Sequence, residues 1–256
     1  MLPNPWDPGS ARYLEHLGFK ALATTSAGYA YSRGLPDDPT VMTRELVLDH
    51  VTDIVNSTSL PVNADFQNGY ADEPQDVAES VRLCVATGVA GLSIEDSTAN
   101  QESPLYPESL AIERIRAARK AIDESGIPVV LTARCEAWLV QTADAKNIAL
   151  KRLVAFAEAG ADCLYAPGVS ELEDISNIVS AVAPKPVNVL VWHPGLTVAE
   201  LARLGVRRIS VGSALARVSW EAFIRAATSL FIEGNFDSFE QPAALTNLNK
   251  LFRSRI

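Results

Sequence analysis

The chain has 256 residues, 48% of them hydrophobic and 21% charged, with a formal net charge of −9. This length suits one large α/β unit spanning residues 1–256, with ample material for a core. The acidic balance argues against a protein that tracks nucleic-acid phosphates, which needs a basic face.

Cys84, Cys135 and Cys163 lie far apart in apolar runs without CxxC spacing, as buried reduced thiols would. The opening MLPNPWDPGSAR has no basic segment followed by an apolar one, so no secretory signal is expected. No apolar run approaches the ~18 residues a membrane span needs. A cytoplasmic protein that contacts neither membrane nor nucleic acid is expected.

Along the chain, short apolar or β-branched runs alternate with longer amphipathic segments. Strands are predicted at Leu2–Pro5, Ala21–Thr25, Pro61–Asp65, Gly91–Glu95, Val129–Arg134, Cys163–Ala166, Pro186–Leu190 and Arg208–Val211. Helices fit between them, near 9–17, 43–57, 74–87, 107–124, 144–158, 171–182, 197–204 and 213–233. Most strands read as continuous apolar runs, which points to a parallel sheet covered on both faces. Gly88, Gly126, Gly160 and Gly205 each stand where a helix gives way to a strand, and Pro74 and Pro107 stand where helices begin. Eight such units in about 250 residues match a (β/α)₈ TIM barrel. An open doubly wound sheet is the structural alternative, but no GxGxxG follows the first strand. A further helix is predicted near 240–251, with Leu245, Leu248, Leu251 and Phe252 on one face. It would pack on its own barrel or on a neighbouring subunit, and the sequence leaves that choice open.

In a barrel, chemistry sits at the C-terminal ends of the strands. The polar residues predicted there are Thr24, Thr25, Ser26, Asp37, Asp38, Asp65, Gln67, Asn68, Glu95, Asp96, Arg134, Glu136, Asn188 and His193. Asp65, Glu95 and Asp37 or Asp38 are oxygen donors from separate strand ends, the donor type a hard cation such as Mg²⁺ prefers. Arg134 offers a planar fork for a carboxylate. Thr25, Ser26, Ala27 and Gly28 supply hydroxyls and backbone N–H groups for a carboxylate or oxyanion cradle. Bland roles remain open for each: helix caps for the acids, charge balance for Arg134, a tight turn for TSAG, a loop histidine for His193.

In order along the chain, LPNPWDPGSAR, TTSAGYA, GLPD, ADFQNGY, SIED, TAR and PVNVL resemble segments of the isocitrate lyase / phosphoenolpyruvate mutase superfamily, most closely its small bacterial members. The resemblance implies a barrel, bound Mg²⁺ with Mn²⁺ as alternative, and a homodimer or homotetramer that exchanges its eighth helix between subunits. It places Asp65 as direct metal ligand, with Glu95, Asp37 and Gln67 around the metal. Arg134, Asn188, His193 and the 25–28 segment would then face the substrate, with Arg134, Asp37 and Tyr29 in catalytic positions. Two departures matter. The second acid of the family's D-x-D-x-G-Y motif is neutral here, as Gln67. The loop STANQESPLYP holds neither the K-K-C-G-H of the lyases nor the lysine of the mutases, although Asn100 is present.

The expected activity is therefore Mg²⁺-dependent carbon–carbon cleavage or decarboxylation of a small 2-oxo or 2-hydroxy di- or tricarboxylate, through a metal-stabilised enolate. Tyr29, Glu136, His193 or water would deliver the proton. Phosphonate or phosphoenolpyruvate P–C chemistry is one alternative, and a metabolite-binding protein with weak catalysis is the other.

Overall fold

Seven short strands run parallel in the order β1 to β7 and curl into a nearly closed barrel inside a shell of helices. The computed structural model describes residues 1–239 and 242–253. The elements are α1 (Pro8–His16), β1 (Leu22–Ala23), α2 (Ser26–Ser32), α3 (Arg44–Ser57), β2 (Val62–Asp65), α4 (Pro74–Ala86), β3 (Gly91–Glu95), α5 (Glu108–Ser125), β4 (Val130–Arg134), α6 (Ala145–Glu158), β5 (Cys163–Tyr165), α7 (Leu172–Val182), β6 (Val187–Leu190), α8 (Val198–Arg203), β7 (Arg208–Ser210), α9 (Ala214–Glu233), a 3₁₀ turn (Asp237–Phe239) and α10 (Leu245–Arg253). The TIM-barrel-like α/β architecture expected from the sequence is thus present.

The predicted first strand is not a strand. Leu2–Pro5 contributes one bridge, Leu2 to Ser210. Pro3 and Pro5 lack the N–H a ladder needs. The segment nevertheless closes the ring. Leu2 N–H donates to the Ile209 carbonyl at 2.7 Å, and the Pro3 carbonyl accepts from Ala23 N–H at 3.0 Å. The buried Asn4 side chain replaces the missing ladder. Its amide donates to the Thr24 carbonyl at 2.9 Å, and its oxygen accepts from Val211 and Gly212 at 2.9 and 3.0 Å.

The strands are not uniformly apolar either. Ala64, Leu92, Ile94, Leu131, Ala133, Leu164, Val187, Val189 and Ile209 pack outward into the helical shell. The alternate positions, including Asn63, Asp65, Ser93, Arg134, Asn188, Arg208 and Ser210, line the lumen. This is strict period-two alternation with a polar inside. Gly88, Gly126, Gly160 and Gly205 all take left-handed φ after their helices, as the joints required. Cys84, Cys135 and Cys163 are buried and free. Among the described residues no helix is long and apolar enough to cross a membrane.

The final helix spans Leu245–Arg253 and not 240–251; Glu240 and Gln241 lie outside the described residues. It rests on its own chain: Arg12 donates to the Phe252 carbonyl at 2.8 Å and lies over the Phe252 ring. α9 is different. It presents Val218, Phe223, Ile224, Phe231 and Ile232 to solvent, with Phe231 91% exposed.

Candidate active site

A cavity of about 140 Å³ opens at the C-terminal ends of the strands. Parallel pairing sets its chemistry. Asp65 ends β2, Glu95 ends β3 and Arg134 ends β4, so three adjacent strands deliver their last side chains to one place. Arg134 Nη1 lies 2.8 Å from Asp65 Oδ1 and 2.7 Å from Glu95 Oε1, and Nε lies 2.9 Å from Glu136 Oε1. Its guanidinium also lies over the Tyr165 ring, 5.0 Å from the centroid.

Asp37, in the loop after α2, stands at the cavity mouth, where its Oδ1 accepts from Gln67 Nε2 at 3.1 Å. Asp38 does not join it. Its carboxylate closes a turn on Thr40. Gln67 holds a left-handed φ of 43°, which a side-chain-bearing residue adopts under strain. Its Oε1 is buried with no hydrogen-bond partner.

The charges are unbalanced: three carboxylates contact one guanidinium, and Asp37 adds a fourth negative charge nearby. Burial pushes Glu95 well up from the usual carboxylate range; Arg134 opposes this, while Glu136, Asp65 and Asp37 add to it. Asp37 is raised by desolvation and then by Asp65. Glu136 is raised by burial, with Arg134 opposing. Burial alone would lower Arg134, but Glu136, Glu95 and Asp65 hold it above its ordinary value, so it stays protonated.

A second ring of bonds fixes this cluster. Asp96 Oδ1 accepts from Glu136 N–H, and Oδ2 accepts from Arg152 Nη1, both at 2.8 Å. Arg152 also donates to the Tyr106 carbonyl. Glu136 is thus committed to Arg134, with its backbone pinned from behind.

The segment 25–28 is not a loop. Thr25 caps α2, its hydroxyl accepting from Gly28 N–H. Thr25, Ser26 and Ala27 line the cavity, but Ser26 N–H already serves Asp65 Oδ2 at 2.9 Å. Gly28 faces away. A Cβ there would meet Thr25, Trp6 and Ala216 within 2.6–3.3 Å, so it is a close-packing position. Tyr29 also misses the cavity. One helical step turns it onto His50, with ring centroids 3.9 Å apart. His193 is exposed in the loop after β6, packed edge-on to Trp192, and does not line the cavity. Asn188 does, 1% exposed and donating to Ser210 Oγ at 2.9 Å.

Tyr165, Arg208, Ser210 and Asn4 also line the cavity and were not anticipated. Tyr165 had a legible cue: it ends a strand in register with Arg134. Burial pushes its phenol up to about 12, so it carries its proton at neutral pH.

Among the described residues, no three His, Cys, Asp or Glu side chains are grouped to hold an ion as they stand. Arg134 Nη1 sits between the two nearest acids. The donor chemistry still fits a hard divalent cation. Asp65, Glu95 and Asp37 offer oxygen only, their excess negative charge lacks compensation, and Gln67 Oε1 is an orphan acceptor beside them.

Comparison with known proteins gives the family and the fold. The sequence model of the family described as phosphoenolpyruvate phosphomutase matches residues 1–231. The chain is 30% identical to an oxaloacetate decarboxylase of Pseudomonas putida (strain GB-1) over 216 residues, covering 82% of this chain and 72% of that one. A crystal structure from Burkholderia cenocepacia J2315, provisionally called a lyase/mutase, superposes with a TM-score of 0.95 at 45% identity, covering 99% and 91% of the two chains. The structure of oxaloacetate acetylhydrolase with its product oxalate superposes with a TM-score of 0.86 at 28% identity, covering 98% and 87%. Relatives named for an activity include a 2-methylisocitrate lyase of Escherichia coli and a phosphoenolpyruvate phosphomutase of Streptomyces platensis, and the chain belongs to the phosphoenolpyruvate phosphomutase family, within the isocitrate lyase / phosphoenolpyruvate mutase superfamily.

Proposed function

We propose that this chain is a lyase that breaks a carbon–carbon bond in a small 2-oxo or 2-hydroxy dicarboxylate, with Mg²⁺ as its cofactor. The observation that carries the reading is the Asp65–Arg134 pair lining a small polar cavity, with Glu95 held against Arg134. The names of two relatives, a decarboxylase and an acetylhydrolase of oxaloacetate, favour this substrate class. Asp65, Glu95, Asp37 and the Gln67 oxygen would hold the cation. When bound, Mg²⁺ supplies a Lewis acid for the substrate's oxo group.

The chain's own residues do the rest. Arg134 swings its fork from the acids to the substrate carboxylate and orients it. Ser26 and Ala27 close one wall and Leu139 and Trp192 another, excluding water. In decarboxylation of a 2-oxo acid the bonding electron pair stays on the fragment that keeps the oxo group, and no base is needed because CO₂ leaves without losing a proton. Cleavage of a 2-hydroxy acid would leave the pair on the other fragment and pass the hydroxyl proton to a site carboxylate. Tyr165 holds a proton beside Ser210 to quench that electron pair. The loop between β3 and α5 offers no lysine for phosphoryl transfer; it is folded on itself, with Thr98 Oγ1 donating to the Ser103 carbonyl. The exposed apolar face of α9 belongs to the same proposal, as the surface through which copies of the chain associate.

The test is pyruvate formation from oxaloacetate with and without Mg²⁺, set beside phosphate release from phosphonopyruvate. Metal-dependent pyruvate formation is expected, falling about 100-fold or more in Asp65→Asn. Phosphate release instead, or Asp65→Asn at the wild-type rate, would overturn the proposal. Tight binding of oxaloacetate without turnover would assign the chain as a binding protein.

A further inference from the structure

Arg208, at the start of β7, is a second guanidinium in the cavity lining. Its surroundings contrast with those of Arg134. Nε donates to Asn188 Oδ1 at 3.0 Å, Nη2 to Thr132 Oγ1 at 2.7 Å, and Nη1 reaches Asn63 Oδ1 at 3.4 Å. All three acceptors are neutral. Among the described residues no carboxylate lies within ion-pair distance of it. Three bonds use three of the five guanidinium N–H donors and leave two. A charge drawn into a barrel and held without a counter-ion is unfavourable unless an anion joins it.

The position is as informative as the charge. Thr132 and Asn63 lie two residues before Arg134 and Asp65 on their strands. Two residues of strand are about 6.6 Å, so Arg208 works roughly that far below the acid cluster, towards the barrel floor. Asn188 pairs with Tyr165 in register and binds both Arg208 and Ser210, which ties this lower layer to the reaction layer. The two guanidiniums therefore stand at two depths of one cavity, spaced for the two ends of a short diacid. The neutral acceptors hold the lower fork in place without neutralising it, which is how a pre-organised anion site is built.

We infer that Arg208 is a specificity-determining residue that takes the carboxylate remote from the oxo or hydroxy group, so that the site selects dianionic acids over monoanionic ones of the same length. The inference rests on the oxo-acid reading above and adds the group that measures the substrate's far end.

Malate and 2-hydroxybutyrate have the same number of carbons and differ by a terminal carboxylate against a methyl group. Calorimetric titration of the Mg²⁺-loaded protein with each acid gives the discrimination directly. Wild type is expected to bind malate about tenfold or more tighter, the worth of one charge-assisted contact. In Arg208→Gln the ratio collapses to about twofold or less while 2-hydroxybutyrate binding stays within about twofold of wild type. Arg208→Lys restores part of the ratio. Asn63→Asp keeps Arg208 but supplies an internal carboxylate at the existing contact, so it too lowers the ratio, and it decides the matter if Arg208→Gln does not fold. Equal weakening of both ligands in Arg208→Gln would mark Arg208 as structural and overturn the inference. So would wild type that binds both acids equally, with the oxo-acid reading intact. Failure of wild type to bind either acid would remove that reading and the inference together.

Discussion

Replacing Arg134 by methionine keeps the bulk of the side chain and removes its charge from Asp65, Glu95 and Glu136. The four side chains are 12%, 18%, 11% and 5% exposed, so solvent screens the loss weakly. Stripping one partner from a buried pair destabilises by about 3–5 kcal/mol, and here three carboxylates lose the same partner. Protonation limits the damage. Glu95 and Glu136 already titrate above the usual carboxylate range, and without Arg134 they rise further. A carboxyl whose folded pKa exceeds its unfolded value binds more protons when folded, so its penalty is greatest at high pH and fades as pH falls. Urea unfolding of Arg134→Met is therefore expected to show a loss of about 3–5 kcal/mol at pH 8 and about half that at pH 5, with an unchanged m-value. Adding Mg²⁺ recovers part of the deficit at pH 8, because a cation can stand where the guanidinium stood. A loss under about 1 kcal/mol, equal at the two pH values, would mean that the acids do not share one electrostatic environment.

Gln67→Glu adds a charge beside Asp37 and removes the donor Asp37 now uses; the variant should bind Mg²⁺ about tenfold tighter yet melt lower without it, and unchanged Mg²⁺ affinity by calorimetry would take Gln67 out of the metal environment. His50, buried against Tyr29, has its pKa lowered from 6.5 to about 4 by burial, with Asp7 opposing. The unfolded chain takes up this proton below pH 6.5 while the folded one does not until about 4. The group therefore removes roughly 3 kcal/mol of stability across that window. His50→Gln should flatten the fall in urea midpoint between pH 7 and 4.5, and an unchanged slope would contradict the buried neutral imidazole. Phe231→Asp on the exposed face of α9 should shift the particle to monomer by light scattering, and an unaltered assembly would exclude that face.

The convergence of Asp65, Glu95 and Arg134 was legible because each closes a predicted strand, and parallel strands send their C-terminal ends to one side. Other placements depended on contacts a linear reading does not contain. Tyr29 shares a motif with Ser26 but turns to His50 once the segment becomes helical. Leu2–Pro5 carried its own warning in two prolines, and Asn4's side chain does the work of the missing ladder. Arg208 and Ser210 sit in a strand that reads as ordinary, and their meaning comes from the lumen they face.

The sequence by itself determined the βα repeat, the parallel sheet and the set of acids at the strand ends, because apolar periodicity, helix-end glycines and strand termini are local signals. Tertiary structure alone decided which side chains share the lumen, which carboxylates share Arg134, and that a second guanidinium stands unneutralised below them. Those are properties of distance between segments far apart in the chain, and barrel closure is what sets that distance.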